Sequence, residues 1–187
     1  MHRQKLLQLL SQYKTPHMEE AAMVVRTLRF VQTYENCFDR NLMQGHVTGS
    51  SWVLNPARSH VLMLHHRKLD RWLQLGGHAD NDSDIERVVL KETSEESGVD
   101  LAHIRLVDDA IFDIDIHTIH ASKYDPRHEH FDIRFLLEID DSIPLPGNDE
   151  SHQIGWVPLN KVSRFNNARS LYRMVQKTRR FEDFRST

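Results

Sequence analysis

Apolar side chains recur at helical spacing over residues 4–35. They form two groups, Leu6, Leu7, Leu9 and Leu10, followed by Met23, Val24, Leu28 and Val31. Thr15-Pro16 separates the groups, and proline ends a helix because it lacks a backbone N–H and clashes with the preceding turn. The pattern predicts two helices, which make residues 1–45 an N-terminal helical extension packed on the rest of the protein.

The hydrophobic period changes to that of β-strands from about Val47. β-Branched and aromatic residues fill HVTGSSWVLN and HVLMLHH, and RWLQLGG is predicted as one short strand that ends at two glycines. AIFDIDIHTI and HFDIRFLLEI alternate polar and apolar residues, and IGWVPL follows them. We predict that each of these segments is a strand.

Two further segments have helical spacing. Residues 83–97 are apolar along one side and are followed by Gly98, where a glycine commonly ends a helix. A last helix is predicted over about residues 170–180. With the strands, these helices predict an α+β fold, a mixed sheet flanked by helices, forming one domain over residues 46–187 that ends in a helix.

Composition narrows the class of protein. The fractions of 39% hydrophobic and 27% charged residues are those of a globular protein, and no segment approaches the ~20 apolar residues that span a bilayer. The first residues lack the apolar region of a secretion signal, so a cytoplasmic location is expected. A net charge of −3 does not indicate a nucleic-acid or membrane partner. The single cysteine, Cys37, is predicted to be a buried, reduced thiol.

Three glutamates, Glu92, Glu95 and Glu96, fall within five positions of the predicted helix over residues 83–97. Residues three and four apart on a helix have Cβ atoms about 5–6 Å apart, so these carboxylates repel one another unless a cation or solvent lies among them. Carboxylate oxygens are hard ligands, which favour Mg²⁺ or Mn²⁺ over softer ions. The cluster therefore indicates a metal site or, alternatively, a solvated acidic face.

The stretch from Gly77 to Val99 resembles the Nudix box, whose pattern is G-x5-E-x7-R-E-U-x-E-E-x-G-U, with U apolar. Six of the nine specified positions match without a gap, namely Gly77, Glu92, Glu95, Glu96, Gly98 and Val99. Ser83 replaces a glutamate, Lys91 an arginine and Thr93 an apolar residue. Strands before the box, a Gly-Gly turn into it and a tryptophan-bearing strand after it extend the likeness over roughly residues 46–160.

The resemblance implies an α/β/α sandwich that hydrolyses a nucleoside diphosphate linked to another moiety, with Mg²⁺ or Mn²⁺ as cofactor. It implies that Glu92, Glu95 and Glu96 bind the metal and that the Gly76 carbonyl adds a ligand. One of these glutamates is expected to help deprotonate the attacking water, and the sequence does not distinguish which. Glu150, in a later loop, is a candidate for a further ligand or base, with a solvated loop acid as the alternative.

Each departure from the box has a physical interpretation. Ser83 and Glu86 fit a capping box, in which Ser83 accepts from the Glu86 amide and the Glu86 side chain reaches back. By resemblance, the arginine replaced by Lys91 braces the box against a glutamate; lysine keeps the charge and loses the two-pronged geometry. Thr93 is expected to turn its methyl group inward at little cost.

Polar residues share one face on each of two later strands. With period two, the first strand aligns Asp113, Asp115 and His117, and the second aligns His128, His130, Asp132 and Arg134. We expect the two polar faces to meet across a sheet.

Three interpretations of these polar faces remain open. In a substrate pocket, Arg134 meets phosphate while the other groups, Asp115, His117, His128 and His130, form hydrogen bonds. In a Zn²⁺-like site, His128 and His130 bind the ion with a nearby carboxylate. In the third, the polar residues are the solvent-facing side of an antiparallel sheet whose buried side carries Ile114, Ile116, Phe131, Ile133 and Phe135.

Basic residues outside these motifs give further candidates. Arg67 is a candidate phosphate ligand, with a surface charge as the alternative. Arg169, Arg173 and Lys177 recur every four residues along the last predicted helix. That spacing is typical of a solvated face and, secondarily, of an RNA-binding stripe.

The leading hypothesis is metal-dependent hydrolysis of a pyrophosphate bond in a small nucleoside diphosphate derivative. A nucleotide-binding regulatory module with weak catalysis is one alternative, motivated by Ser83 and Lys91. An RNA 5′-end pyrophosphohydrolase is another, supported only by the C-terminal cations. The expected partner is a small nucleotide rather than a nucleic acid or a membrane. The helical extension covers the sheet or contacts a second copy in a homodimer, and the sequence does not choose between them.

Overall fold

The computed structural model describes residues 2–121 and 126–183. Its helices are α1 Gln4–Gln12, α2 Met18–Thr33, α3 Ile85–Ser97, α4 Val162–Phe165 and α5 Arg169–Asp183. Its strands are β1 Gly45–Leu54, β2 His60–His66, β3 Arg71–Leu73, β4 Leu75–His78, β5 Arg105–Leu106, β6 Asp113–Ile119, β7 His128–Glu138 and β8 Ser151–Pro158. Short 3-10 turns occur at Leu101–His103 and Leu159–Lys161. The predicted α+β class is confirmed.

The chain divides into two compact units. The first unit comprises Met1–Ser50, Gly76–Glu92 and Asp108–Phe135. The second unit comprises Ser51–Leu75, Thr93–Val107 and Leu136–Thr187. The predicted division at residue 45, into an extension and a domain, stays a prediction.

In the first unit, β6 and β7 form an antiparallel pair whose register aligns their polar residues. Asp113 lies opposite Arg134, and His117 lies opposite His130. Because side chains alternate along a strand, this register brings the two polar faces together on one side of the pair. The prediction that these faces meet across a sheet is confirmed.

In the second unit, β2 is the best-paired strand. It runs antiparallel to β8 over its whole length and to β3 over its last residues. Its first residues meet the end of β1, where Leu54 lies opposite Val61, and β5 pairs with the end of β7. The strand order is β3-β2-β1-β7-β5, with β8 added on β2.

The segment RWLQLGG is two strands, so its prediction as one strand is wrong. β3 pairs with β2, whereas β4 pairs with β1. A chain that changes pairing partner must bend between the two strands, and the bend falls at Gln74. Gly76 follows with a φ of +148°, a conformation that residues with side chains rarely adopt. An alternation pattern does not reveal this change of partner.

Helices cover both faces of β1 in the second unit. Thr93 Oγ1 of α3 donates to Ser51 Oγ at 2.8 Å, and Trp52 Nε1 donates to Thr178 Oγ1 of α5 at 2.9 Å. Since Ser51 and Trp52 are consecutive in a strand, their side chains point to opposite faces. The end of α3 and α5 therefore lie on opposite sides of the sheet, as a sandwich requires.

The last helix differs from its prediction in one respect. Leu171 and Met174 are buried as expected, but Arg173 is only 5% exposed. The buried arc of α5 is wide enough to include residue 173, so the three cations do not form one solvated stripe. This correction removes part of the only support for an RNA-binding surface.

The two N-terminal helices are anchored by a buried carboxylate. Glu20 is 0% exposed, and its oxygens accept hydrogen bonds from Tyr13 Oη at 2.6 Å, from Thr15 Oγ1 and from the Ile114 amide of β6 at 3.0 Å. Tyr13 Oη lies 3.0 Å from the Phe112 carbonyl. The Glu20 side chain thus joins the linker between α1 and α2 to the start of β6.

Apolar packing also holds α2 against the strands of the first unit. Phe30 of α2 stacks on Phe131 of β7 with ring centroids 3.9 Å apart. Cys37 lies beyond α2 and is fully buried, which confirms that part of its prediction, and burial raises the pKa of its thiol to about 11.

Among the described residues, no helix combines the length and apolar character that crossing a membrane requires.

Replacing Glu20 by glutamine is expected to lower the free energy of unfolding by about 1.5–3 kcal/mol, because hydrogen bonds to a charged group are lost in a buried place. Urea unfolding followed by circular dichroism measures the change. Glu19→Gln is the matched control, since Glu19 is exposed on the same turn, and its effect is expected to stay within about 0.5 kcal/mol. Equal effects of the two variants would contradict the anchoring role of Glu20.

Candidate active site and its neighbouring polar clusters

The acidic helix α3 has defined contacts at each end. At its start, Asp82 Oδ1 accepts from the Asp84 amide at 2.9 Å, and the Glu86 carboxylate accepts from Lys5 at 2.8 Å. The Asp84 amide precedes the first helical residue, and the Glu86 side chain, predicted to reach back to Ser83, pairs with Lys5 instead. At its end, Gly98 has φ +73° and its amide donates to the Ser94 carbonyl at 2.8 Å, which confirms the predicted C-terminal glycine.

A glycine on β1 lets α3 approach the sheet closely. A Cβ atom at Gly49 would lie 2.8 Å from Val89 Cγ2 and 3.1 Å from Ile85 Cγ2, closer than carbon atoms pack. Both helix residues are at most 3% exposed. The close packing of α3 on β1 therefore requires that residue 49 has no side chain.

Thr93 is matched to a polar partner. It occupies the position where the box pattern has an apolar residue, it is 0% exposed, and its hydroxyl donates to Ser51 Oγ. A buried hydroxyl costs free energy unless it forms a hydrogen bond, and here the sheet supplies the acceptor. This departure from the pattern is therefore compensated inside the core, in a way that the sequence does not reveal.

Gly77 leaves room for the carboxylate of Glu92. A Cβ atom at residue 77 would lie 2.3 Å from Glu92 Oε2, so only glycine permits the observed position of this carboxylate. On its other side, Lys91 Nζ lies 3.7 Å from Glu92 Oε1. Lysine at the arginine position of the box therefore still faces a glutamate of the box, at the distance of an ion pair without two-pronged hydrogen bonding.

The glutamates of α3 differ in exposure. Glu95 is exposed, whereas Glu96 is only 5% exposed. Ionised carboxylates are seldom buried unless hydrogen bonds or cations compensate them. Together with Glu92, they give one helix three hard oxygen donors, a set that suits Mg²⁺ or Mn²⁺.

A buried ion-pair cluster lies on the polar face of β6 and β7. Arg134 donates to Asp132 at 2.7 Å, to Asp113 at 3.1 Å and to Asp115 at 3.2 Å. Asp113, Asp132 and Arg134 are each at most 2% exposed, so the interpretation as a solvated face is wrong at these positions.

The cluster is completed from β1. Thr48 and Ser50 donate their hydroxyl hydrogens to Asp132 Oδ1 at 3.0 and 2.8 Å. Burial by itself lowers the pKa of Arg134, but the surrounding carboxylates outweigh burial and raise it above its ordinary value. A phosphate contact by Arg134 stays a prediction, and these pairings favour an internal role for it.

Histidines gather on the same face, next to the ion-pair cluster. His46 of β1 lies with its ring centroid 4.6 Å from that of His130, 5.0 Å from that of His128 and 5.1 Å from that of His78. His117 is exposed and lies 5.3 Å from His130. Their roles in binding substrate stay predictions.

His46 and His78 are members of the cluster that sequence reasoning missed. They lie 32 positions apart, on two strands whose pairing is not evident from the residues between them. One signal was present: His46 shares the period-two face of Thr48 and Ser50 on β1. His78 directly follows the Gly-Gly turn and gives no such signal.

Two other predicted residues lie in the second unit. Arg67 is exposed, its guanidinium donates to the Ser151 carbonyl at 3.2 Å, and its amide donates to the Glu150 carbonyl at 2.8 Å. These bonds tie the end of β2 to the start of β8. Glu150 is itself exposed, so its carboxylate is accessible for the predicted role as a ligand, which stays a prediction.

The model of the NUDIX domain matches residues 45–178, about seven-tenths of the chain. The chain belongs to the Nudix family. This confirms the resemblance of residues 77–99 to the Nudix box, and membership of the family supports a Nudix-type pyrophosphohydrolase. A comparison of this sequence with those of curated proteins gives no significant match.

Solved structures similar to the Nudix chain support the same fold. A C. elegans Ap4A hydrolase binary complex gives a TM-score of 0.60 at 14% identity, covering 73% of this chain and 97% of that one. The E. coli dihydroneopterin triphosphate pyrophosphohydrolase gives 0.57 at 16% identity, covering 70% and 92%. A NUDIX-family hydrolase from Clostridium perfringens gives 0.53 at 21% identity, covering 73% and 97%. At these identities the likeness shows the fold alone.

Replacing Arg134 by methionine is expected to lower the free energy of unfolding by about 3–5 kcal/mol, because buried carboxylates lose their cation. Arg105→Met is the control: Arg105 is 56% exposed and pairs with Glu138, so its loss is expected to cost less than about 1 kcal/mol. Urea unfolding of both variants gives the comparison. A loss of under 1 kcal/mol for Arg134→Met would show that the cluster does not stabilise the fold.

Proposed function

We propose that the protein hydrolyses a pyrophosphate bond in a small nucleoside diphosphate derivative, with Mg²⁺ or Mn²⁺ as cofactor and the carboxylates of α3 as its ligands. The observation that supports this proposal is that, within the Nudix box, the Glu92 carboxylate occupies the space that a side chain at Gly77 would fill. A solvated acidic face does not need a glycine to make room for one of its carboxylates.

The residues fit the metal by their chemistry. Nudix hydrolases generally use divalent metal ions, and Glu92, Glu95 and Glu96 offer only hard oxygen donors. We propose the Gly76 carbonyl and Glu150 as further ligands, by resemblance to the family. When bound, such an ion neutralises charge on the phosphate oxygens and makes a water easier to deprotonate.

The protein residues then have distinct tasks. One glutamate of α3 accepts the proton from the attacking water as the water oxygen bonds to phosphorus and the bridging P–O bond breaks. Lys91, whose Nζ lies 3.7 Å from Glu92 Oε1, helps to orient that carboxylate. The leaving phosphate takes the electrons of the broken bond.

A small nucleotide is the substrate class we favour over RNA. The proteins of similar fold named above act on Ap4A and on dihydroneopterin triphosphate, by their names, and both are small molecules. On α5, Arg173 is buried and unavailable to a nucleic-acid backbone. The homodimer and the cytoplasmic location stay predictions.

The proposal is tested by a phosphate-release screen with Mg²⁺ or Mn²⁺ against nucleoside triphosphates, dinucleoside polyphosphates, ADP-ribose, nucleotide sugars and coenzymes. Wild type is expected to hydrolyse a member of this panel, and Glu95→Gln and Glu96→Gln are expected to lose on the order of 10²-fold or more in kcat, as preorganised charge is lost. Chelation of divalent ions is expected to abolish turnover.

Glu86→Gln is the matched control for these variants. Glu86 lies on the same helix, and its carboxylate pairs with Lys5 away from the acidic cluster. Its kcat is expected to stay within about twofold of wild type, as for surface substitutions away from a site. Normal turnover in Glu95→Gln and Glu96→Gln would overturn the proposal. Nucleotide binding without turnover would favour the regulatory alternative instead.

Replacing Gly77 by alanine tests the seat of Glu92. The new methyl group would displace the carboxylate, and misplacement of a catalytic group by about 1 Å can cost on the order of 10²-fold in rate. Gly155→Ala is the control, because a Cβ atom at residue 155 meets nothing within 4 Å. Steady-state kcat/KM on the identified substrate is the measurement. Equal kinetics in both variants would show that the position of Glu92 is not important.

A further inference from the structure

The hydrolysis proposed above assigns no chemical step to the histidine cluster of the first unit. His46, His78 and His130 each offer a ring nitrogen, and these three nitrogens lie within 4.8 Å of one another. The three residues come from three strands, β1, β4 and β7. Convergence of this kind is what a metal site on a sheet requires.

His46 is the decisive member. It is 2% exposed, and among the described residues neither of its ring nitrogens has a hydrogen-bond partner. A buried imidazole without a partner is costly, since polar groups in a protein interior are nearly always hydrogen-bonded. A ligand that accepts a lone pair from the ring would satisfy one of its two nitrogens.

Neutral imidazole is the form of histidine that ligates transition metals. Burial, followed by the neighbouring imidazoles, lowers the pKa of His46 to about 4 and that of His130 to about 2.

We propose that His46, His78 and His130 form a binding site for a transition-metal ion of borderline softness, with Zn²⁺ as the first candidate. Three imidazoles with a fourth position open to water or a phosphate oxygen are a recurrent zinc arrangement, whereas Mg²⁺ prefers oxygen ligands. The donor atoms of this site and of the α3 carboxylates thus select different ions.

The alternation of β1 separates this site from the acidic helix. The position of Gly49 faces Val89 of α3, while His46, Thr48 and Ser50 lie on the opposite face by strand parity. Thr48 and Ser50 contact Asp132 on that face. The histidine site and the packing surface of α3 are therefore on different sides of β1.

Neighbouring groups orient the rings. His128 Nδ1 lies 2.8 Å from the Pro126 carbonyl, and as a donor there it leaves Nε2 as an acceptor. That Nε2 lies 3.2 Å from His130 Nε2, so His130 can donate to it and keep its other nitrogen for a metal. Donation of the second ring N–H to a fixed acceptor is typical of metal-binding histidines.

Arg40 is a cation in direct contact with the site. Its guanidinium donates to His78 Nδ1 at 2.8 Å and also lies 3.4 Å from Asp80. The Arg40 side chain is 53% exposed. A bound dication would be repelled by this guanidinium, so the proposal requires Arg40 to turn toward Asp80 when the metal binds.

The experiment measures Zn²⁺ binding directly, by calorimetry and by elemental analysis after dialysis, with Mg²⁺ in excess. Wild type is expected to retain about one Zn²⁺ per chain, and the Co²⁺ form is expected to show the visible absorption of a tetrahedral site. His46→Ala and His130→Ala are each expected to weaken binding by at least about 100-fold, because even outer partners of a ligand cost 10–100-fold.

His103→Ala is the matched control, since His103 is exposed and lies in the second unit. Zn²⁺ binding is expected to persist in this variant and in the double variant Glu95→Gln/Glu96→Gln, which separates the site from the proposed hydrolysis. His78→Ala, at a partly exposed position, provides a second ligand variant should a core variant unfold. Arg40→Gln is expected to tighten binding several-fold, an outcome that a purely structural role of the cluster does not predict.

Two results would overturn the proposal. One is the absence of bound Zn²⁺ in folded wild-type protein. The other is Zn²⁺ binding that survives the folded histidine variants and disappears with the α3 glutamates, which would place the ion on the acidic helix. Circular dichroism of each variant establishes that it is folded.

Discussion

The pairing of Arg134 with Asp113, Asp115 and Asp132 is the constraint on which the first unit depends. A buried guanidinium is tolerated only where its donors meet carboxylates, so β6 and β7 are held in the register that supplies them. Slippage by one residue would turn every side chain of a strand to the other face. The same register places His117 opposite His130, and Phe131, on the other face of β7, stacks on Phe30 of α2.

The absence of a side chain at two glycines is the second constraint on the structure. Gly49 lets α3 lie against β1, and Gly77 leaves the space that the Glu92 carboxylate fills. Neither glycine is needed for a left-handed backbone, since neither has a positive φ. Their effect is one of close approach: α3 and the Glu92 carboxylate lie where a Cβ atom would otherwise be. The box glycine and the box glutamate are therefore two parts of one contact.

Features that depend on neighbours along the chain could be predicted from the sequence. The acidic helix, its terminal Gly98 and the polar faces of β6 and β7 follow from local periodicity. Features that depend on distant partners could not. The break at Gln74 depends on which strand each half pairs with, and the burial of Arg173 depends on what α5 packs against. The proximity of His46 and His78 also could not be predicted, because it depends on the pairing of β4 with β1.

The strand β4 shows why a family pattern describes one cluster and not the other. Gly77 faces the Glu92 carboxylate, and His78, the next residue, points to the opposite face and joins the imidazoles. A pattern that records the requirements of α3 therefore specifies residue 77 and is silent on residue 78. The chemistry on the second face is set by residues that the pattern leaves open, and long-range pairing brings them together. Family membership consequently predicts the carboxylates and leaves the histidines to be understood from the structure.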